Sequence, residues 1–181
     1  MTNSHIAAHY TRTAVTLHWI LAIGLIGLFG LGLYMVSLPF SPQRLLYYNW
    51  HKWAGATVLL LSVVRLAWRM VHPVPASAPM AAWQRRSANA MHALLYALSF
   101  AVPLVGWMYS SASGFPVVVF ALLPLPDLVS ADQALAQLFK QVHAALAWTL
   151  MALATAHIGA ALKHQFVDRD GLVYRMWPAR D

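Results

Sequence analysis

Residues 141–162 read QVHAALAWTLMALATAHIGAAL and contain no acidic, lysine or arginine side chain. An apolar run of about 20 residues is long enough to cross a bilayer as an α-helix. The run carries two histidines, His143 and His157, which stand 14 residues apart. Over that distance an α-helix rises about 21 Å and turns about 1,400°, roughly 40° short of four full turns. The stretch therefore predicts a membrane-spanning helix with one imidazole near each end, both on nearly the same face.

The composition of the whole chain also indicates a membrane protein. The 181 residues are 60% hydrophobic and only 9% charged, whereas soluble domains carry about 25% charged residues. Because cysteine is absent, disulfides, thiolate metal sites, iron–sulfur clusters and cysteine-linked haem are excluded, and nine histidines remain as the main candidate ligands. The net charge of +7 predicts contact with anionic membrane lipid rather than nucleic acid, since no basic stripe with interleaved aromatics lies outside the apolar segments.

Three further apolar segments complete the predicted fold, an all-α membrane protein with a four-helix bundle. Pro39 and Pro42 are expected to end the first segment, and Pro103 to kink the third. We predict a single membrane domain, residues 1–181, with spans at about 14–38, 50–71, 87–111 and 141–165 and a long outer loop at 112–140.

Two features of the outer loop carry local predictions. Ser130 and Gln133 have the spacing of a capping box, which predicts that the last helix begins near Ala131. Residues 115–123 are apolar but too few to cross the bilayer, so we expect them at the membrane interface or against the bundle.

The orientation follows from the distribution of lysine and arginine. The polar start, residues 1–13, precedes an apolar run too long for a cleavable signal, which predicts an uncleaved signal anchor. Nine basic side chains fall on the side of the N-terminus, and three, Arg44, Lys52 and Lys140, fall on the other. The positive-inside rule therefore predicts that both termini are cytoplasmic.

This orientation sorts four histidines into two pairs by depth. His18, early in the first span, and His157, late in the fourth, fall near the inner face. His51 and His143 begin the second and fourth spans and fall near the outer face. Two neutral imidazoles can fill both axial positions of a haem iron, which leaves no vacant site for substrate and favours electron transfer. We therefore predict two haems, with His18 and His157 on one iron and His51 and His143 on the other.

Other polar residues of the spans are secondary candidates. Arg65 is deep and no acidic residue of the spans could pair with it, so we expect it to bind a haem propionate. His92 competes for the inner pair, or hydrogen-bonds a propionate or a quinone, and Arg69 is a candidate for the same groups or for lipid headgroups. At the outer end, Lys52 and Lys140 are candidates for propionates, an anionic substrate or lipid. We expect His72 and His164 to be solvated, and we assign no role to His5 or His9.

Several short motifs, in this order, resemble the bacterial cytochrome b561 family of small di-haem membrane cytochromes. They are Thr16-Leu17-His18-Trp19, His51, Val63-Val64-Arg65-Leu66 with Arg69, Met91-His92, Pro103-Leu104-Val105-Gly106, His143, His157 and Arg175-Met176-Trp177-Pro178. The resemblance covers about residues 10–178. It implies two haem b groups on the four histidines paired above, electron exchange with the quinone pool through bound ubiquinone, and an oxidoreductase activity of the type that oxidises superoxide and reduces ubiquinone.

Three hypotheses for the function follow from the sequence. The first is a transmembrane di-haem cytochrome b that takes electrons from a small outer donor such as superoxide. The second is a cytochrome b anchor subunit that takes electrons from a protein partner, a larger dehydrogenase or hydrogenase. The third is a proton-coupled transporter without haem, in which the histidines relay protons.

Overall fold

The computed structural model describes residues 10–72 and 81–177. Four long helices dominate it: α1 (Arg12–Ser37), α2 (Pro42–Val71), α3 (Ala82–Ala112) and α4 (Gln133–Lys163). Each contains a stretch long and apolar enough to cross a membrane, which confirms the predicted four-helix membrane fold. His5 and His9 lie outside the described residues.

The connection between α1 and α2 is tighter than the sequence suggested. Helix α1 ends at Ser37, and Pro42 does not end it but is the first residue of α2, where the missing N–H of proline removes no helical hydrogen bond. The hydroxyl of Ser41 accepts a hydrogen bond from the backbone N–H of Arg44 at 3.2 Å and caps the helix. The second helix therefore begins eight residues before the predicted start at residue 50.

The start of α4 corrects the predicted capping box. Ser130 does not cap the helix; Asp132 does, since its carboxylate accepts a hydrogen bond from the backbone N–H of Leu135 at 2.9 Å. A carboxylate at the N-cap also brings a full negative charge to the positive end of the helix dipole, whereas a serine hydroxyl is neutral. Helix α4 begins at Gln133, two residues after the predicted position, and continues through a π-helical turn, His164–Asp168.

The helices pack in sequence order, α1 on α2, α2 on α3 and α3 on α4, while α1 and α4 meet only sparsely. Large apolar side chains face outward along the spans, among them Ile23 and Leu60, both more than 60% exposed. Such faces suit hydrocarbon rather than water. Several buried positions on the inside of α2 and α3 are small and polar, for example Ser62, Ser99 and Ser111, which is typical of close helix packing in lipid.

The apolar segment of the loop between α3 and α4 forms a short antiparallel hairpin, β1 (Val118–Val119) and β2 (Leu123–Pro124). Its turn places Phe120 and Ala121 at φ of 52° and 59°. Phe120 packs on Trp53 of α2, with ring centroids 6.0 Å apart. As expected, this segment lies against the bundle, but its strand pairing was not predicted.

The chain after α4 folds back onto α1. A 3-10 helix, Leu172–Met176, brings the carbonyl of Met176 within 2.8 Å of the indole N–H of Trp19. Trp177 packs edge-on against the same indole, with centroids 6.1 Å apart. These contacts close the end of the bundle that holds His18 and His157, here called the inner end; the opposite end is the outer end.

Candidate functional site

The four histidines predicted as ligands form two pairs in the structure. At the inner end, His18 of α1 faces His157 of α4, with ring centroids 6.5 Å apart and ring planes at 84°. At the outer end, His51 of α2 faces His143 of α4, with centroids 6.2 Å apart and planes at 82°. Both His143 and His157 belong to one uninterrupted helix, so the two pairs are separated by about 21 Å along its axis.

These separations fit a metal ion between each pair. With a metal–imidazole bond of about 2.0–2.1 Å and a ring nitrogen about 1.1 Å from the ring centre, two imidazoles on opposite sides of one metal have centres about 6.2–6.4 Å apart. The observed 6.5 Å and 6.2 Å lie close to that range. A direct hydrogen bond between two imidazoles would bring their centres closer. The donor set of paired neutral imidazoles is the one that six-coordinate haem iron uses.

The surroundings of the outer pair come from α3 and α1. Nδ1 of His143 lies 2.9 Å from the backbone carbonyl of Val102 on α3. Nδ1 of His51 is buried and makes no well-formed hydrogen bond within the described part of the chain, although the Leu28 backbone faces this ring. Both rings lie against glycines: His143 against Gly106 and His51 against Gly32.

A guanidinium borders the inner pair. Nη2 of Arg65 lies 3.3 Å from Nδ1 of His18, and the Arg65 guanidinium stacks over the ring of Tyr96 at 4.9 Å. Arg69, one turn further along α2, stands 5.8 Å from the same ring. Among the described residues neither arginine forms an ion pair with a carboxylate. Two cationic groups in a helix bundle therefore remain available for an anionic group such as a propionate.

A small open cavity continues from these arginines to the surface of the inner end. Thr11, Trp68, Arg69 and Met176 line it together with Arg65. Its walls combine hydrogen-bond donors with apolar and aromatic side chains.

His92 lies inside the inner cluster, as the sequence allowed. Its ring centroid is 5.5 Å from that of His157, closer than His18 is. Proximity alone therefore does not choose between His18 and His92 as the partner of His157. The position of His18 near the start of α1 matches that of His157 near the end of α4, whereas the 5.5 Å spacing is shorter than the separation that a bridging metal gives.

The remaining candidates lie at the two ends of the bundle. The ammonium of Lys52 donates a hydrogen bond to the carbonyl of Pro116 at 3.2 Å, which ties the outer loop to α2. His72 stacks on Trp68, with centroids 3.8 Å apart, and is only partly exposed. Nδ1 of His164 lies 2.6 Å from a carboxylate oxygen of Asp170, so the ring is hydrogen-bonded in the turn after α4 rather than simply solvated.

Sequence reasoning identified His92 of α3 but missed two other parts of the site that α3 supplies, the Val102 carbonyl and Tyr96. The Val102 carbonyl is a backbone group, and Tyr96 was not singled out. A signal was nevertheless present, because Gly106 belongs to the Pro103–Gly106 motif of the family resemblance, and a glycine in a membrane helix marks a close approach.

Comparisons with known proteins identify the family of the chain. The family described as prokaryotic cytochrome b561 matches residues 9–179. Cytochrome b561 homolog 2 of Escherichia coli is 34% identical over 92% of this chain and 90% of its own, and cytochrome b561 homolog 1 of the same organism is 31% identical over 94% and 98%. A probable superoxide oxidase CybB of Yersinia pestis is 28% identical over 78% and 81%. The chain therefore belongs to the prokaryotic cytochrome b561 family of multi-pass membrane proteins, which bind haem b and transfer electrons.

Proposed function

We propose that this chain is a di-haem cytochrome b that carries electrons across the bacterial inner membrane from an outer donor to the quinone pool. The proposal rests on two pairs of imidazoles, whose ring centroids are 6.5 Å apart in the inner pair and 6.2 Å apart in the outer pair. Each pair includes one histidine of α4, and the two pairs lie at opposite ends of the bundle. One histidine pair would hold one haem. Two pairs at different depths provide a route across the membrane.

Different histidines would bind the haems at the two ends of the bundle. His18 and His157 would hold the inner haem, and His51 and His143 the outer haem; each haem b supplies a one-electron couple when bound. With two imidazoles holding each iron, the side chains would keep oxygen and water away from it. Arg65 would bind an inner propionate, since it lies beside His18 and has no carboxylate partner in the described ranges.

We propose ubiquinone as the acceptor and superoxide as the donor. Two superoxide anions would release two electrons and leave as two molecules of oxygen, and ubiquinone would take both electrons with two protons to become ubiquinol. The relative named as a probable superoxide oxidase supports this donor. Lys52 supports it physically, because a cation beside His51 at the outer end attracts a small anion.

The quinone ring would bind at the inner end, near Arg69 and His92. Arg69 lines the cavity beside Arg65, His92 lies beside His157 in the inner cluster, and both side chains can donate hydrogen bonds to a quinone oxygen. Membership of the family sets aside the transporter without haem. The anchor-subunit hypothesis differs from the proposal only in the donor.

Two alanine variants test the haem assignment. His143→Ala should lose the outer haem and retain the inner one, and His157→Ala should do the reverse, because each removes one axial ligand from one pair. Visible difference spectra and haem-to-protein ratios of the purified proteins measure both. Equal loss of both haems from a variant that still folds, or no loss from either, would contradict the assignment.

Rapid mixing tests the partners. Superoxide added to the oxidised protein should reduce its haems within the mixing experiment, and ubiquinone added afterwards should reoxidise them. If superoxide leaves the haems oxidised while they remain reducible by dithionite, the donor is a protein partner and the anchor-subunit hypothesis replaces the proposed one.

A further inference from the structure

Helix α3 supports His143 through two groups that stand one helical turn apart, the carbonyl of Val102 and the α-carbon of Gly106. We propose that Gly106 is a positioning residue: its lack of a side chain allows the His143 imidazole to lie against α3, where the Val102 carbonyl fixes it for ligation of the outer haem. This inference rests on the proposed role of His143 as a haem ligand.

The space at Gly106 is filled by the imidazole itself. A methyl group built on Gly106 would lie 2.9 Å from Cε1 and 3.0 Å from Nδ1 of His143. Carbon atoms in favourable contact stand about 3.5–4.0 Å apart, so the ring and the methyl group cannot both keep these positions. The ring would have to move by several tenths of an ångström.

The imidazole cannot move away from Gly106 without weakening its hydrogen bond, because the carbonyl that accepts this bond belongs to the same turn of α3. Val102 and Gly106 are four residues apart and therefore share one face of the helix. Movement away from position 106 lengthens the 2.9 Å contact between Nδ1 and the Val102 carbonyl. The glycine and the carbonyl thus act on the imidazole together.

The hydrogen bond also decides which nitrogen faces the iron. A carbonyl only accepts, so Nδ1 of His143 must carry the proton, and Nε2 keeps its lone pair for the metal. The other ligand candidates with a described Nδ1 environment differ: Nδ1 of His18 faces the Arg65 guanidinium, and Nδ1 of His51 has no well-formed bond. An Nδ1–H bonded to a carbonyl makes the ligand more basic, which stabilises ferric iron and lowers the potential of that haem.

The decisive variant is Gly106→Ala in the haem-loaded protein. The outer haem should be retained about 10- to 100-fold less tightly, and in the fraction that keeps it the outer midpoint potential should rise, with an altered low-spin electron paramagnetic resonance signal. The inner haem should keep its content, potential and signal. An unchanged outer haem, or equal changes at both haems, would overturn the inference.

Two glycines provide matched controls. A methyl group at Gly32 would lie 3.4 Å from Cε1 of His51, an ordinary contact, and one at Gly159 would meet no atom of the described residues within 4 Å. Gly32→Ala should therefore disturb the outer haem much less than Gly106→Ala does, and Gly159→Ala should leave both haems as in the wild type. A loss of outer haem from Gly32→Ala as large as that from Gly106→Ala would mean that any added methyl group disturbs this end, which overturns the specific role of Gly106.

A double variant keeps the test informative if Gly106→Ala folds poorly. Once His143→Ala has removed the imidazole, the methyl group at position 106 no longer clashes with a ring at position 143. The double variant should therefore have the same inner-haem content and thermal midpoint as His143→Ala alone. An additional loss in the double variant would show that Gly106 acts through something other than His143. If His143→Ala itself keeps the outer haem, the proposed ligand assignment fails, whereas an unaffected Gly106→Ala beside a defective His143→Ala rejects only the present inference.

Discussion

Replacement of Arg65 by glutamine should lower the midpoint potential of the inner haem. Nη2 of Arg65 lies 3.3 Å from Nδ1 of His18. A metal held at Nε2 of that imidazole would leave Nδ1 protonated, so the guanidinium would act on the metal as a nearby charge about 7 Å away rather than as a hydrogen-bond donor to the ring. A cation at that distance favours the reduced, less positively charged iron, so its removal favours the oxidised form.

Coulomb's law sets the size of the effect. At an effective dielectric constant of about 20, two unit charges about 7 Å apart interact with about 2.4 kcal/mol, which corresponds to about 100 mV. With the dielectric constant of water, about 80, the same distance gives about 0.6 kcal/mol, or about 25 mV. Because Arg65 is partly buried in the bundle, we expect a fall nearer the larger value. A propionate that pairs with Arg65 stays negative in the variant, so the sign of the shift is the same.

Potentiometric titration of the haem spectrum provides the assay, with the outer haem as an internal reference. Arg65→Lys keeps the charge and should lower the inner midpoint potential by less than half as much as Arg65→Gln does. Arg69→Gln removes an exposed and solvent-screened charge, so it should also shift the inner potential less than Arg65→Gln does. If Arg65→Gln leaves the inner potential within about 20 mV of the wild type, or shifts the outer haem instead, the placement of Arg65 beside the inner haem is wrong.

Three further variants test separate parts of the account. His92→Ala should keep the inner haem with its low-spin spectrum, because His18 remains as the axial ligand; loss of that haem would identify His92 as the ligand instead. Asp132→Ala should cost about 1 kcal/mol of stability through the lost helix cap, seen as a lower thermal midpoint, whereas Ser130→Ala should leave that midpoint unchanged. Lys52→Gln should slow haem reduction by superoxide several-fold at low ionic strength and weaken its salt dependence; an unchanged rate would remove Lys52 from the path of the donor.

The proximity of His18 to His157 and of His51 to His143 could be predicted because two simple constraints favour it. The bilayer fixes the depth of a residue from its place in an apolar span, and helical periodicity puts His143 and His157 on nearly one face. The structure brings His18 to His157 and His51 to His143, as the depth argument required. The depth argument did not exclude His92 as a ligand of the inner haem, and in the structure the His92 ring lies beside His157 in the inner cluster.

The local features that were missed depend on alternatives of similar energy. Ser130 and Asp132 are both good helix caps, and the choice depends on how the loop approaches α4. The hairpin turn was not predicted because Phe120 and Ala121 adopt positive φ, which side chains other than glycine rarely do. Contact of Phe120 with Trp53 contributes to holding this turn.

The support given by α3 could not be predicted for a different reason. Every residue has a carbonyl, so the sequence does not show that the one of Val102 meets His143. Gly106 was visible in a motif, but a glycine indicates a close approach without naming the neighbour. Only the packing of α3 on α4 identifies the neighbour as an imidazole.

The central claim is that each chain holds two haems, each between two histidines. The most direct test measures the haem-to-chain ratio of the purified wild-type protein together with its low-temperature electron paramagnetic resonance spectrum. The account predicts two haem b per chain and two distinct low-spin signals from bis-imidazole iron. One haem per chain, or a high-spin iron with a vacant axial position, would contradict it.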